Sequence, residues 1–474
     1  MPGNLRQATD SFPPRDAPQN QGLVRNRSRA ADVHRGMTEA GMIHRRALLA
    51  LLGAAALGAA SGCGQRADAA VELVRADQPR TPAGDAATMA RTAAAVSSFG
   101  TELYRRLVAS ASAANLVCSP YSVYVALAMT AQGARGETAQ EILSALHIGA
   151  AGLLADGVNS LDQAVAQRAG ISQDGSGHDI VVELASVNSL WGQKGLTWQP
   201  PFLEVLARDF GTGMRQVDYR TAPDPARTAI NRWVSDQTHH RIPELIGNGL
   251  IDNLTRLVLV NALYFKAPWT VPFVPEETRK SPFTRLDGSA VSVDLMRSSV
   301  PAGYANGPGW TAVDLRYGKG ELAMAVLLPD RGRFAEIERA MDGAWLSRLL
   351  ADVEYLPGSA MVEVGLPRWT TRTQADLGNA LQALGIRTAF TDAADLSGIT
   401  AAEQLHVSAV VHEGFIAVDE NGTEAAAATA VIAVTTGAAL DPPTLVADRP
   451  FLYVIHDVPT GTPLFVGRVV DPTA

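Results

Sequence analysis

An α+β fold is predicted by three observations: helix-patterned segments and β-type runs both occur, they interleave without a repeating βαβ order, and the last two apolar runs read as a hairpin. Val96 to Leu107 place apolar residues at helical spacing. Ser119 followed by Pro120 marks a helix start, because proline in the first turn gives up an N–H that would have no partner there. Tyr121 to Thr130 continue it with few polar residues, which predicts a buried helix. Leu254 to Phe265, Leu322 to Leu328 and Met361 to Leu366 are β-type runs, the last closed by Pro367. Phe451 to His456 and Pro463 to Val469, separated by the turn-rich residues 457–462, form the hairpin.

Composition is consistent with a globular chain. Its 474 residues are 47% hydrophobic and 19% charged, enough for one large domain or two. A net charge of −8 argues against a nucleic-acid partner, which would call for a basic stripe. Two cysteines cannot build a disulfide scaffold.

The N-terminal region reads as an address. Residues 1–41 are polar and are taken as a disordered extension or a mis-assigned start, with Met37 or Met42 as alternative starts. Residues 42–63 carry Arg45 and Arg46, an apolar run from Ala47 to Gly58 and small residues ending at Cys63, the three regions of an export signal. Cys63 resembles the lipidated cysteine of a bacterial lipoprotein box, although Ala60 stands where a bulkier aliphatic is usual, and the twin arginines leave a Tat-type route open. Membrane attachment through a lipidated Cys63, or export to the extracellular side after plain cleavage, are the two expectations. Residues 64–88 lack a periodic apolar face and are expected to be a disordered tether, with the folded domain spanning 89–474.

The stretch from Glu420 to Pro443 carries the most information. Gly422, four alanines at 425–428 and the lack of charge from Ala425 to Leu440 suit an exposed loop. Thr423, Ala425, Ala427, Thr429, Val431, Ala433 and Thr435 nevertheless share one face at period two, with Glu424 on the other. No proline occurs before Pro442. The segment is written both as a loop and as a buried strand.

Glu420, Gly422, Thr423, Glu424, Ala425, Ala426, Ala427, Ala428 and Thr429 resemble the reactive-loop hinge of the inhibitory serpins. Further blocks match in the same order from about Ala94 onward: Asn115 to Ser122, Gly133 to Thr138, Asn261 to Trp269 with Pro272, Phe273 and Thr278, Leu366 to Trp369, Val410 to Glu413, Arg449 to Phe451, and Pro463 to Arg468. The resemblance implies a single serpin domain with a large, mostly antiparallel central sheet, smaller additional sheets, about eight to nine helices and an exposed reactive loop. It also implies suicide inhibition. A serine protease attacks the loop, an acyl-enzyme forms, and the cut loop enters the sheet before water can release the protease, leaving a 1:1 covalent complex with a monomeric inhibitor.

Residue by residue, the resemblance places the reactive bond sixteen residues beyond Glu420, at Thr436 and Gly437, while counting back from Pro450 favours about Ala439. Ser119, Ser122, Asn261 and His412 match the polar shutter beneath the sheet. Trp269 matches the tryptophan at the breach, where insertion begins, and Glu420 is expected to pair there with Arg297. No Lys or Arg occurs from Ala425 through Asp448, so a trypsin-type pocket finds no cation, and elastase-, subtilisin- or chymotrypsin-like targets are expected.

Other chemistry is sparse. His239 and His240 are adjacent with no third ligand at metal spacing, so a solvated turn is expected and no metal or cofactor is implied. Cys118 lies in an apolar run and reads as an inert thiol. Arg168 is the only basic residue between His147 and His178, which gives a glycosaminoglycan nothing to bind. No hydrolase, P-loop or dinucleotide motif occurs, so an enzyme is not expected. The alternative reading is a non-inhibitory serpin that binds or carries a ligand.

Overall fold

Residues 71–111, 113–353, 361–424 and 442–474 are described by the computed structural model, and within them nine α-helices and eighteen strands build three sheets. The central sheet runs in the order β1 (Glu72–Val74), β5 (Met214–Val217), β4 (Asp179–Gln193), β6 (Leu257–Pro268), β15 (Gly422–Thr423), β14 (Ala409–Asp419), β13 (Trp369–Asp376), with β3 (Gly170–Gln173) on the outer part of β4. A six-stranded sheet joins β2 (Leu116–Cys118), β18 (Thr462–Val469), β17 (Phe451–Asp457), β11 (Leu322–Pro329), β10 (Trp310–Tyr317) and β9 (Gly303–Gly307). The third contains β16 (Thr444–Val446), β12 (Met361–Pro367), β8 (Ala290–Pro301) and β7 (Arg279–Thr284). Each run read as β-type from the sequence contains a strand, although Leu254 to Arg256 precede β6, and β17 and β18 form the expected hairpin.

The helices are α1 (Ala86–Ser110), α2 (Pro120–Gly133), α3 (Gly136–Ala145), α4 (Ala151–Ala166), α5 (Pro200–Phe210), α6 (Pro223–Gln237), α7 (Phe334–Ala340), α8 (Gly343–Asp352) and α9 (Gly378–Ala383). Ser119 caps α2, accepting from the Ser122 N–H, and Pro120 occupies the first turn. Every α2 residue except Gln132 is buried, which accounts for the uniformly apolar reading.

Two apolar cores flank the central sheet. The larger lies between that sheet, the six-stranded sheet and helices α1 and α2. The smaller lies under α6, where Ala226, Ile230 and Val234 meet Val258 and Val260 of β6 and Ala409 and Val411 of β14. Alternation along β6 divides the two: Leu257, Leu259 and Leu263 face the main core, while Val258, Val260 and Ala262 face α6.

The expected tether, residues 64–88, is corrected in its described part. Glu72 to Val74 pair antiparallel with β5. Arg80 donates to Asn159 Oδ1 at 3.0 Å and to Asp162 Oδ2 at 2.6 Å on α4, and the Thr81 N–H donates to Arg208 O at 2.8 Å. Asp85 then caps α1. These residues have no apolar periodicity because backbone pairing and polar contacts, not an apolar face, hold them. Residues 64–70, like the extension and signal regions, lie outside the described residues.

A chain truncated to begin at Met89 is therefore expected to be less stable to urea than one beginning at residue 70. Arg80→Ala alone should cost roughly 1–2 kcal/mol, since it removes two hydrogen bonds made by a charged group. Equal urea midpoints for the two chain lengths would show that the strap contributes nothing.

Candidate functional site: the loop hinge and the sheet seam

The site begins with an irregularity in the central sheet. β6 and β14 pair directly and in parallel from Val258 with Ala409 to Leu263 with Gly414. Above that point they part, and β15 stands between them, antiparallel to both: Thr423 faces Ala267 on one side and Val418 on the other. Glycine is required at 422, where φ is +152° and an added Cβ would lie 2.1 Å from Ala267 O.

Around this wedge the expected breach residues converge. The Trp269 backbone N–H donates to Asn421 O at 2.8 Å, and its indole N–H to Asp419 O at 3.0 Å. Its ring stacks on Tyr317 with centroids 4.3 Å apart, and the Tyr317 hydroxyl bonds Thr423 Oγ1 at 2.7 Å. Thr423 is fully buried, with its side chain directed to the main core.

Glu420 is buried as well, but its partner is not Arg297. Arg368 makes a forked contact to the carboxylate, with Nε at 2.9 Å and Nη2 at 2.6 Å, and Thr278 Oγ1 adds a further bond. Burial works to raise the Glu420 pKa, and the bonds from Arg368 and Thr278 more than offset it, so the carboxyl lies below its usual value. Arg297 sits on β8 opposite Gly365 in the third sheet, where it is exposed. Arg368 follows Pro367 at the junction of β12 and β13, which carries it over Glu420.

The four expected shutter residues do meet, and Asn188 of β4 joins them. The Ser119 N–H donates to His412 Nε2 at 3.1 Å. That nitrogen is therefore the acceptor, and Nδ1 carries the proton donated to Asn261 Oδ1 at 2.5 Å. Asn261 Nδ2 donates to Asn188 Oδ1 at 2.7 Å, which also accepts from Ser122 Oγ at 2.9 Å. Asn261 and His412 are register partners across the parallel seam. Burial pushes the His412 pKa down to about 4.

On the opposite face Glu424 follows β15. Its side chain is 2% exposed beside Arg241, at 3.2 Å, and its pKa is raised by burial against the opposing pull of Arg241. His239 and His240 occupy the turn after α6. His239 is 62% exposed and pairs with Glu183 at 3.0 Å, as a solvated turn would have it. Among the described residues no group of three or more potential ligands could hold a metal. Cys118 is buried with its thiol pushed up to about 12. Arg168 is held internally by Asp457 at 2.7 Å and Glu321 at 2.8 Å.

Ala425, Ala426, Ala427, Ala428, Thr429, Thr436, Gly437 and Cys63 lie outside the described residues. Sequence reasoning missed Arg368, Asn188 and Tyr317. Arg368 falls inside a matching block without a role, and Asn188 is one of several polar residues of β4, so its residue type alone does not single it out.

Comparisons with known proteins agree with this geometry. The family model described as serpin (serine protease inhibitor) matches residues 94–472. The leukocyte elastase inhibitor of Sus scrofa is 36% identical over 394 residues, covering 81% of this chain and 100% of that protein. The insect Serpin48 of Tenebrio molitor superposes with a TM-score of 0.68 at 29% identity, covering 80% of this chain and 98% of the other. The thermophilic serpin tengpin in its native state gives a TM-score of 0.71 at 24% identity, covering 84% and 97%, and so shares the fold.

His412 makes stability pH-dependent. Once unfolded, it takes up a proton below about pH 6.5, whereas the folded protein takes none until about pH 4. Its contribution is thus complete above pH 6.5 and is lost as pH falls toward 4, a change of about 3 kcal/mol. In urea unfolding at pH 7 and pH 4, His412→Gln should lack this component; an identical pH dependence in both proteins would contradict the assignment.

Proposed function

Because the chain belongs to the serpin family, we propose that it inhibits serine proteases as a suicide substrate. The reactive loop is cut near Thr436 and Gly437, the protease is caught as its acyl-enzyme, and the loop then enters the central sheet between β6 and β14. The observation that carries this reading is the register of β15. Six residues beyond Thr423, the same pairing brings Thr429 opposite both Asn261 and His412, which now pair with each other. Three residues further, Ile432 comes opposite Val258 and Ala409 under α6.

Both faces of the entering strand then find suitable company. Thr429 brings a hydroxyl to a polar cluster whose hydrogen bond it would interrupt, and small Ala425 and Ala427 pass Phe265 and Leu263 without a bulky obstacle. Ile432 enters an apolar core. Entry replaces one parallel seam by two antiparallel ladders, and at a net of ~1 kcal/mol per added bond plus apolar burial, the gain is on the order of 10 kcal/mol. The uncut protein would then persist because the seam must open first, which is kinetic stability. Fourteen inserted residues span about 45 Å, enough to carry a bound protease the length of the sheet.

A bait without Lys or Arg supports elastase-, subtilisin- or chymotrypsin-like targets and disfavours trypsin-like ones. The named elastase inhibitor of Sus scrofa, matched along its whole length, supports the same direction. We further propose that the inhibitor is a monomer, exported, and held at the cell surface when Cys63 is lipidated.

Incubation of the purified protein with elastase, subtilisin, chymotrypsin and trypsin should give an SDS-resistant 1:1 complex with at least one of the first three and none with trypsin. The C-terminal peptide released from that complex should begin within a few residues of Gly437. Nicked protein should also withstand heating that denatures the intact form; a nicked form no more heat-resistant than the intact one would sink insertion and favour a carrier role.

A further inference from the structure

Four non-glycine residues among those described adopt left-handed backbone: His147, His239, His240 and Glu424, with φ of +54°, +48°, +62° and +51°. Such conformations disfavour L-residues and persist where surrounding contacts enforce them. Three of the four belong to a single contact, in which the turn after α6 delivers Arg241 to Glu424.

That turn is well anchored. The His240 N–H donates to Ser235 O at 2.8 Å and the Arg241 N–H to Thr238 O at 2.9 Å. The Arg241 carbonyl accepts from Arg372 Nη2 at 2.7 Å, and Arg372 is itself paired with the buried Glu413 of β14. Arg241 is thereby fixed over the top of the seam, with Nε 3.2 Å from Glu424 Oε2. Its side chain is 54% exposed, while the Glu424 side chain it holds is 2% exposed and lies beside Tyr264 and Lys266 of β6.

Glu424 is also the residue at which strand geometry ends among the described residues of the hinge. Thr423 is paired on both sides, and the next residue leaves strand geometry while its N–H still bonds Ala417 O at 2.9 Å. Continuing the strand requires residue 424 to turn from left-handed to extended backbone, which re-aims its side chain. The ion pair and the left-handed conformation therefore persist or break together.

We propose that Arg241 is a positioning residue for loop entry: it latches Glu424 in the left-handed conformation, holds the hinge at two inserted residues, and ties further entry to the turn that follows α6. This rests on the insertion reading given above. With the latch intact, the uncut loop is kept from entering unprompted. Without it, the uncut protein drifts sooner into an inserted, non-inhibitory form.

The test follows uncut protein warmed below its unfolding temperature, scoring loss of inhibition and the appearance of a heat-resistant, unnicked species. Arg241→Ala and Glu424→Gln should each speed that conversion about 10-fold, the double variant no more than either single, and Arg241→Lys should stay near the wild-type rate. Arg227→Ala, which breaks the Arg227–Glu244 pair elsewhere on α6 and its following segment, should leave the rate unchanged. Single variants that convert at the wild-type rate, or effects that multiply in the double variant, overturn the latch. Nicked wild-type protein assayed alongside separates the two ideas: a gain in heat resistance there with unaltered variants overturns the latch alone, and no gain overturns both.

Discussion

The parallel seam between β6 and β14, closed at its centre by the hydrogen bond from His412 to Asn261, is the constraint on which the rest depends. Parallel pairing is slightly weaker per residue than antiparallel pairing. Here it joins two strands that part above Leu263 and Gly414 and are already wedged apart there by Gly422 and Thr423. The polar groups beneath the seam are engaged with one another. Ser119 fixes the tautomer of His412, His412 orients Asn261, and Asn261 and Ser122 share Asn188. In the proposed insertion, opening the seam would leave these groups unpaired until a new partner arrives, and that cost would be a barrier rather than a permanent loss. A Thr429 hydroxyl is a suitable new partner, able both to donate and to accept.

Both faces of the sheet are built around this line. The main core meets it through α2, whose cap residue Ser119 is also a shutter residue: its hydroxyl oxygen caps the helix and its backbone N–H donates to His412 on the seam. The other face is covered by α6, whose apolar contacts include Val258, Val260, Ala409 and Val411 on the two seam strands themselves. Any strand entering the seam must therefore pass under α6, and the segment after that helix supplies the Arg241 that meets Glu424. At the top, Trp269, Tyr317, Thr423, Arg368 and Glu420 hold the wedge in place through contacts drawn from the central sheet, the six-stranded sheet and the β12–β13 junction.

Much of this was legible in the sequence because local pattern carries it. The cap at Ser119 and Pro120, the β-type run from Leu254 to Phe265 and the period-two alternation beyond Glu420 are each local signals, and the order of the matching blocks identifies the family. What was not legible depends on contacts between distant residues. The identity of the Glu420 partner turns on which arginine the β12–β13 junction carries over it, and that geometry is not written near either residue. The strap at residues 71–88 has no apolar face of its own, so its pairing with β5 and α4 leaves no periodic trace. The alternation through Glu424 describes a strand, whereas the described hinge interrupts it with a left-handed residue.

The central claim is that β6 and β14 must separate for inhibition to occur. Val260 and Val411 are register partners across the seam and both face α6, so cysteines at these two positions would form a reversible lock. Cys118 is buried and its thiol resists ionisation, which keeps it out of the exchange. When V260C/V411C is oxidised, a protease that forms an SDS-resistant complex with the wild type should cut the loop and depart without forming one; reduction should restore the complex. A covalent complex formed equally well by the oxidised and reduced variant would contradict the account.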